Sequence, residues 1–196
     1  MKKRIFFSRI VYLSIFCIAL SSHEYYSDDS VADLMLETSG FILLLISGLG
    51  RAWTSAYILG KKDKELVMDG PYSIMRNPLY TFSFLGYVGA GMAFESILLA
   101  FLLGVFFFAA HAPAVRSEEN KLRALFGTTF DDYCKKVPKF IPGKLKITNP
   151  LTISISPMLF SKAVIESSMI MSIFVVAHAI EWLHVHNILP VLIHLP

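Results

Sequence analysis

The chain has 196 residues, 55% of them hydrophobic, and a mean hydropathy of +0.57. A soluble domain is usually about 45–50% apolar, and here the excess is gathered into long runs, which favours a membrane protein. A net charge of +3 is weak evidence for a nucleic-acid partner, so we expect none. The two cysteines, Cys17 and Cys134, lie in different environments and indicate neither a disulfide nor a zinc site.

The apolar runs, taken in chain order, predict an all-α polytopic membrane protein with about five transmembrane helices, forming one domain over residues 1–196. The predicted spans are Ile5–Leu20, Val31–Trp53, Leu79–Phe94, Ile97–Val115 and Ala163–Trp182. The first run also has the basic start and weak cleavage site of a secretory signal peptide, but we expect an uncleaved anchor. Small residues in the second and third spans, such as Gly48 and Gly89, predict close helix packing.

Only Glu95 and Ser96 separate the third span from the fourth, so these two helices must pack as an antiparallel hairpin. With five spans, all 18 lysines and arginines fall on one side of the membrane. This count assigns Arg51 to the loop between the second and third spans. The positive-inside rule then predicts an integral membrane protein with its N-terminus and its active site in the cytoplasm.

Two polar segments on the cytoplasmic side, 60–78 and 116–150, flank this hairpin and are expected to form one pocket at the membrane surface. In the first, Asn77-Pro78 sets a proline at the start of the third span, where free backbone N–H groups suit a carboxylate. Residue types alone favour a simpler interpretation, an interfacial turn with Tyr72 and Tyr80 as belt aromatics.

The second segment predicts a helix that continues beyond the fourth span and ends at Gly127, followed by a short helix over Phe130–Val137. Arg116 and the Glu118–Glu119 pair lie where the chain leaves the membrane. They form either a solvated helical turn or a charged group that binds a zwitterionic ligand.

Together, the two segments resemble the isoprenylcysteine carboxyl methyltransferase family, with phosphatidylethanolamine N-methyltransferases as more distant relatives. The resemblance covers residues 64–142, and the matching residues are Gly70, Tyr72, Arg76, Pro78, Tyr80, Glu118, Glu119, Leu122, Phe126, Gly127, Tyr133, Val137, Pro138, Ile141 and Pro142. Two positions depart from the pattern: Asn77 stands where the family usually has histidine, and Phe130 replaces a tyrosine. Asparagine does not titrate near neutral pH, which puts a proton-handling role at residue 77 in doubt.

The resemblance implies an S-adenosylmethionine site between the cytoplasmic end of the hairpin and the segment after it. Carried over by position, the cofactor contacts are Lys64, Glu65, Leu66, Val67, Tyr72, Asn77, Pro78, Leu79, Tyr80 and Glu118. Glu118 suits the ammonium group of the cofactor, and tyrosine faces suit its sulfonium. Arg116 and Arg76 are the candidate catalytic residues, with Arg116 orienting an anionic group of the acceptor.

The expected function is therefore methyl transfer from S-adenosylmethionine to a lipid-like or lipidated acceptor at the membrane surface, most like isoprenylcysteine carboxyl O-methylation. An ionised carboxylate needs no general base, whereas an amine must first lose a proton, and the motif holds no obvious base. Phospholipid N-methylation remains an alternative. The Asn77 departure keeps a non-catalytic membrane protein open as well, and a nicotinamide-dependent reductase of similar frame is disfavoured by the short chain.

Histidines outside the motif have two interpretations. His111, within the fourth span, is an ionisable group at membrane depth, and we expect a neutral ring bonded to a neighbouring helix. A second group, near the fifth span, has the sequence spacing of a possible set of metal ligands. Its members are His178, Glu181, His184 and His186. It lies on the side away from the expected pocket, so we expect no metal.

Overall fold

The computed structural model describes residues 22–24, 30–143, 146–191 and 193–195. The predicted first span, Ile5–Leu20, lies outside these residues. The elements in chain order are β1 (Ser22–Glu24), α1 (Val31–Ile58), a 3₁₀ turn (Gly70–Ser73), α2 (Pro78–Ala93), α3 (Ile97–Lys136), α4 (Pro157–Val185) and β2 (Ile193–Leu195). The two strands form a parallel pair, with Ser22 opposite Ile193, which the sequence did not predict. The four described helices confirm the helical class of the fold.

Helix α1 begins where the sequence predicts, because the Ser30 hydroxyl accepts a hydrogen bond of 3.1 Å from the backbone N–H of Asp33. It runs beyond the predicted end at Trp53 and ends at Ile58. The assignment of Arg51 to a loop is therefore wrong. Arg51 lies inside the helix, about 10 Å before its end at 1.5 Å per residue, because the residues that follow it are mostly apolar or small.

Three of the described helices are long and apolar enough to cross a membrane, namely α1, α3 and α4. Helix α2 occupies the predicted third span, with Pro78 in its first turn, but it has only 16 residues, fewer than the roughly 20 that a full crossing needs. The protein is thus an integral membrane protein with three candidate spans. Helix α2 has the predicted length and lies one residue earlier than predicted, and the number of crossings is not fixed at five.

The α2–α3 hairpin is as tight as the sequence predicts. Glu95 turns the chain with a φ of 54°, and the Ser96 hydroxyl caps α3 by accepting a bond of 3.1 Å from the N–H of Leu99. Gly91 lies so close to the next helix that a Cβ added to it would overlap the backbone of Ala100. The turn therefore depends on a residue without a side chain.

Helix α3 has 40 residues and carries the chain from the apolar hairpin into the second polar segment. Its only interruption among the described residues is Gly127, with φ 51° and ψ −127°. The predicted break at Gly127 and the predicted second helix are thus confirmed, except that the second helix follows directly and ends one residue earlier, at Lys136.

Helix α2 packs against α1, α3 and α4, and α4 also packs on α1. Close approach of α1 and α2 occurs at glycines, as predicted: a Cβ added to Gly40 would lie 2.5 Å from the backbone N of Ala93. Within the described ranges, α3 and α4 make almost no contact with each other. A gap therefore remains between them over one face of α2.

Candidate functional site

A polar pocket of about 410 Å³ lies where the end of α1, the 3₁₀ turn, the start of α2, the middle of α3 and the start of α4 meet. Both sequence segments contribute to it, which confirms that they share one pocket. The site residues predicted from sequence that line this polar pocket are Glu65, Leu66, Val67, Tyr72, Arg76, Asn77, Pro78, Leu79, Tyr80 and Glu118. Their roles toward a cofactor stay predictions.

The chain that follows α3 holds the first polar segment in place. The N–H of Arg76 donates to the carbonyl of Pro138 at 2.8 Å, and the N–H of Asn77 donates to that of Lys139 at 3.1 Å. Farther along, the N–H of Gly70 donates to the carbonyl of Thr148 at 2.8 Å. The proline-containing end of the motif therefore acts as a brace for the loop before α2.

Glu119 is the centre of a cluster of charges beside the polar pocket. Its carboxylate is 2.9 Å from Lys139 Nζ and 3.7 Å from Arg76 Nη1, and its side chain is only 14% exposed. Arg76 also donates to Cys134 Sγ at 2.7 Å. Sequence reasoning counted Glu119 in the motif but not among the site residues, because adjacent glutamates on a helix do not reveal which of them is buried.

Asn77 makes two hydrogen bonds that explain how this region folds without the histidine that the family usually has at this position. Its Nδ2 donates to Glu119 Oε1 at 3.0 Å and to the carbonyl of Lys139 at 3.3 Å, and the residue is 7% exposed. The position requires a hydrogen-bond donor toward a carboxylate. An asparagine amide supplies that donor at every pH, so Asn77 positions the cluster.

Glu118 faces into the polar pocket between two donors. Tyr80 Oη donates to its Oε2 at 3.3 Å, and Lys62 Nζ lies 3.2 Å from its Oε1. Lys62 is 66% exposed at this pair, so a ligand ammonium group would compete with a mobile, well-hydrated side chain. Glu118 is thus a carboxylate that is already oriented toward a cation.

Two tyrosines close the opposite wall of the polar pocket. Tyr133 Oη donates to the backbone carbonyl of Tyr72 at 2.7 Å, which fixes the 3₁₀ turn against α3. Burial raises the pKa of Tyr72 above its ordinary value, and the nearby Glu118 carboxylate raises it further. Tyr72 therefore stays a neutral phenol at physiological pH and offers an aromatic face rather than an anion.

The residues of the polar pocket fit S-adenosylmethionine. Pro78 begins α2 beside the pocket, and no side chain caps the helix, so the backbone groups of its first turn carry partial positive charge. They suit a carboxylate, Glu118 suits an ammonium, and Tyr72 and Tyr80 suit a sulfonium. Every charged part of the cofactor thus has a complementary group.

Two predicted site residues lie elsewhere. Arg116 is exposed and lines a separate depression with Pro113 and Asn120, because two residues on an α-helix turn the side chain about 200° away from that of Glu118. Lys64 is exposed as well and does not line the polar pocket, whereas Lys62 does. Arg116 and Lys64 therefore do not line the polar pocket, and their roles stay predictions.

A second, apolar cavity of about 530 Å³ lies between α3 and α4 on the face of α2. Its apolar lining residues are Gly86, Ala90, Phe94, Leu99, Leu103, Phe107, Ile170, Ile173 and Val176. Arg51, Ser83, Tyr87, His111 and Ser172 supply its polar lining. Sequence alone did not predict this apolar cavity, because its walls come from four helices and consist of ordinary membrane residues.

Arg51 lines both the polar pocket and the apolar cavity. Its Nη1 donates to Ser83 Oγ, which in turn donates to the carbonyl of Leu79 at 2.7 Å. Arg51 Nε is buried and has no hydrogen-bond partner among the residues that the structure describes. A buried donor of this kind is costly unless a ligand satisfies it, and a charge within an apolar helix was the available sequence signal.

His111 lies in the wall of the apolar cavity and bonds its own helix, not a neighbouring one as predicted. Its Nδ1 is 3.0 Å from the carbonyl of Phe107, and its ring stacks on that of Phe107 at 4.3 Å. Because a carbonyl only accepts hydrogen bonds, Nδ1 carries the proton of the neutral ring and Nε2 keeps its lone pair.

His178, near the end of α4, lies between two carboxylates. His178 Nδ1 is 3.0 Å from Glu181 Oε2, and His178 Nε2 is 3.4 Å from Glu37 Oε1, so the two carboxylates lie on opposite edges of the ring. The part of the chain that the structure describes holds no group of three or more histidine, cysteine, aspartate or glutamate side chains placed to hold a metal ion.

Comparison with known protein families identifies the family of this chain. Residues 32–129 match the phospholipid methyltransferase family, a range that runs from the start of α1 to just beyond Gly127. The chain belongs to the phospholipid methyltransferase family. This range includes Arg51, the start of α2 and the Glu118–Glu119 pair, but not the brace after α3.

Relatives of this family differ in how much of the chain they match. The nickel-cobalt-cadmium resistance protein NccN of Alcaligenes xylosoxydans xylosoxydans is 33% identical over 95% of this chain and 87% of its own length. The cobalt-zinc-cadmium resistance protein CzcN of Cupriavidus metallidurans is 28% identical over 90% of this chain and 81% of its own. The protein-S-isoprenylcysteine O-methyltransferase of Schizosaccharomyces pombe is 32% identical over 41% of this chain and 34% of its own. No solved structure matches the chain.

Proposed function

We propose that this protein transfers a methyl group from S-adenosylmethionine to a lipid-like or lipidated acceptor, most like carboxyl O-methylation of an isoprenylcysteine. One observation carries the proposal: Arg51 is shared by the polar pocket, which fits the cofactor, and the apolar cavity, which fits a hydrocarbon chain. A reaction between a polar cofactor and an apolar acceptor needs such a junction.

The acceptor headgroup is assigned to Arg51 in place of Arg116. A guanidinium binds a carboxylate or phosphate in a bidentate manner, and the Nε of Arg51 is the buried donor that such a group would satisfy. Ser83 holds the other side of the guanidinium in place. Arg76 Nε is likewise buried without a partner among the described residues, but Glu119 and Cys134 already engage its Nη1, so Arg76 is less suited to this role than sequence reasoning expected.

The chemistry asks little of the side chains beyond positioning. When bound, S-adenosylmethionine supplies an electrophilic methyl group on a positive sulfur. An ionised carboxylate held by Arg51 would accept that methyl group without any proton transfer, and Glu118 and the start of α2 would hold the cofactor. Alignment of the two reactants and exclusion of water supply most of the rate, so transfer to a carboxylate requires no general base.

Calorimetry with S-adenosylhomocysteine tests the cofactor half of the proposal. The native protein should bind, and Glu118→Ala should bind at least tenfold more weakly because the ammonium group loses its carboxylate. Asp132→Ala, an exposed acid on the same helix, is the matched control and should bind normally. The absence of heat from folded native protein would exclude a methyltransferase and favour the non-catalytic alternative.

Transfer of a labelled methyl group to N-acetyl-S-farnesylcysteine tests the acceptor half. Arg51→Gln should lower kcat/KM about 100-fold, mainly through KM, while leaving S-adenosylhomocysteine binding intact. Arg116→Gln, which removes an exposed arginine from α3, is the control. Loss of transfer in Arg116→Gln with normal transfer in Arg51→Gln would return the acceptor role to Arg116.

A second candidate function, N-methylation of a phospholipid amine, is favoured by His111. Its Nε2 lone pair belongs to a ring in the wall of the apolar cavity, where it is able to remove the proton that an ammonium headgroup must lose. With phosphatidylethanolamine in vesicles as acceptor, His111→Gln should then abolish methylation. Unchanged methylation of a carboxylate acceptor by the same variant would support O-methylation instead.

Metal resistance is part of the names of NccN and CzcN. We propose that any metal tolerance conferred by this chain depends on methyl transfer rather than on a metal site of its own. Expression in a cadmium-sensitive host should then give tolerance with Asp132→Ala but not with Glu118→Ala. Tolerance retained by Glu118→Ala would show that metal tolerance does not depend on methyl transfer.

A further inference from the structure

The apolar cavity has a polar end and an apolar end. Arg51, Ser83 and His111 line the end nearer the polar pocket, and Phe94 and Leu99 line the end at the α2–α3 turn. From Ser83 to Phe94 helix α2 advances about 16 Å at 1.5 Å per residue. A chain anchored by its headgroup at Arg51 therefore extends along α2 toward the hairpin turn.

Phe94 closes the apolar end. Its half-buried ring packs against the cluster of Leu99 and Leu103 on α3 and also against the cluster that includes Leu44 and Ala177 on α1 and α4. The Phe94 ring thus extends from the wall formed by α3 to the wall formed by α1 and α4. Behind it the chain turns through Glu95 and Ser96, which are 6% and 2% exposed, so the ring is backed by a buried turn.

The size of the cavity limits the chain that it holds. At about 30 Å³ for each water-sized group, a volume of about 530 Å³ accommodates roughly 18 such groups. A farnesyl chain is slightly smaller than this limit, a geranylgeranyl chain is larger, and two full acyl chains exceed it greatly. The volume of the cavity therefore matches one chain better than two.

We propose that Phe94 sets the chain length of the acceptor, a lipid with one chain and an anionic headgroup, by closing the apolar end of the cavity. The inference rests on the proposed function, because the acceptor is the molecule that fills the cavity. Phe94 is a specificity-determining residue that does not contact the reacting atoms. Its truncation should extend the cavity toward the turn, and its enlargement should shorten the cavity.

Binding of N-acetyl-S-geranyl-, S-farnesyl- and S-geranylgeranylcysteine to the full-length protein in detergent tests the inference without any need for turnover. The native protein should bind the farnesyl compound more tightly than the other two. Phe94→Ala should shift the ratio of geranylgeranyl to farnesyl affinity about tenfold toward the longer chain, since each buried methylene contributes to binding. Phe94→Trp should shift the preference toward the geranyl compound.

The matched control is Phe101→Ala, which removes the same ring from a lipid-facing site that is 66% exposed and should leave the order of affinities unchanged. Thermal unfolding checks that each variant folds. If Phe94→Ala does not fold, Phe94→Trp tests the inference by itself. The inference is overturned if folded Phe94 variants keep the native order, or if Phe101→Ala shifts it equally. Failure of the proposed function would show differently, as chain-length-dependent binding without methyl transfer.

Discussion

The polar pocket and the apolar cavity share Arg51 but are built by different means. The polar pocket is made of two short segments tied by directional contacts, such as the Asn77–Glu119 and Tyr133–Tyr72 hydrogen bonds. The apolar cavity is bounded by helices that approach through glycines and by a gap between α3 and α4. The charged side chains are thus held in a cross-braced region, and the apolar cavity lies where two helices make few contacts with each other.

The largest effect is expected at the hairpin. Gly91→Ala places a methyl group on the backbone of Ala100, where no flexible side chain is available to move, and it should cost about 3 kcal/mol or more. Thermal unfolding in detergent measures this loss. Gly104→Ala is the control, because its Cβ would meet the Phe84 ring at 3.4 Å and Val88 Cγ2 at 3.6 Å, which are ordinary contacts that should be tolerated. Equal stability of the two variants would show that the hairpin is not rigid.

Asn77→Asp should have the next largest effect. It places a second carboxylate next to Glu119, at an amide-to-carboxylate distance of 3.0 Å in the native chain, and it should destabilise the braced region by about 2 kcal/mol. S-adenosylhomocysteine binding should fall with it, whereas lipid binding in the apolar cavity should persist. Asn77→His, which keeps a donor, is the control. A parallel loss of both ligands in Asn77→Asp would show that the two regions are not separable.

Gly70→Ala should have a smaller, local effect. Gly70 has a φ of 60°, which costs an alanine about 1–2 kcal/mol, and a Cβ there would overlap the Tyr57 ring. Gly60→Ala is the control for backbone strain alone. Gly60 has a φ of 82°, and apart from its chain neighbours no described atom lies within 4 Å of the added Cβ. Cofactor binding measured by calorimetry should weaken more in Gly70→Ala. Equal weakening in both variants would show that backbone strain alone, and not overlap with the Tyr57 ring, weakens cofactor binding.

Lys62→Gln should have the smallest effect and the opposite sign. Lys62 pairs with Glu118 at 3.2 Å, so its removal should tighten S-adenosylmethionine binding two- to threefold by freeing the carboxylate, with roughly unchanged stability. Lys61→Gln, which removes a neighbouring lysine paired with Glu65, is the control. Weaker binding by Lys62→Gln would indicate that Lys62 contacts the cofactor directly.

The polar pocket was predictable because its residues are adjacent in two short segments and carry distinctive chemistry. Tyr72, Tyr80 and Glu118 line it as expected, and the glycine break at residue 127 ends the first part of α3 as the sequence indicates. The sequence did not show which pocket a side chain lines where helix phase decides the outcome. Arg116 lies only two residues before Glu118, but that distance turns it to the other side of the helix.

The apolar cavity was not predictable, because the residues that form it are chemically alike and distant in sequence. Phe94 and Leu103 resemble any other membrane residues until the packing of the helices is known. Arg51 was misplaced because a charge normally marks the end of an apolar run, whereas here the helix continues for seven residues beyond it to Ile58. Only the three-dimensional structure shows that this arginine faces two cavities.

The gap between α3 and α4 has a consequence for kinetics. A lipid that reaches the apolar cavity through that gap diffuses in the plane of the bilayer, so its effective concentration is its mole fraction among the surrounding lipids. Diluting it with inert lipid should lower the rate, while adding more vesicles of the same composition should not. Under the proposed function, a Michaelis constant is therefore expressed per unit of membrane surface and not per litre of solution.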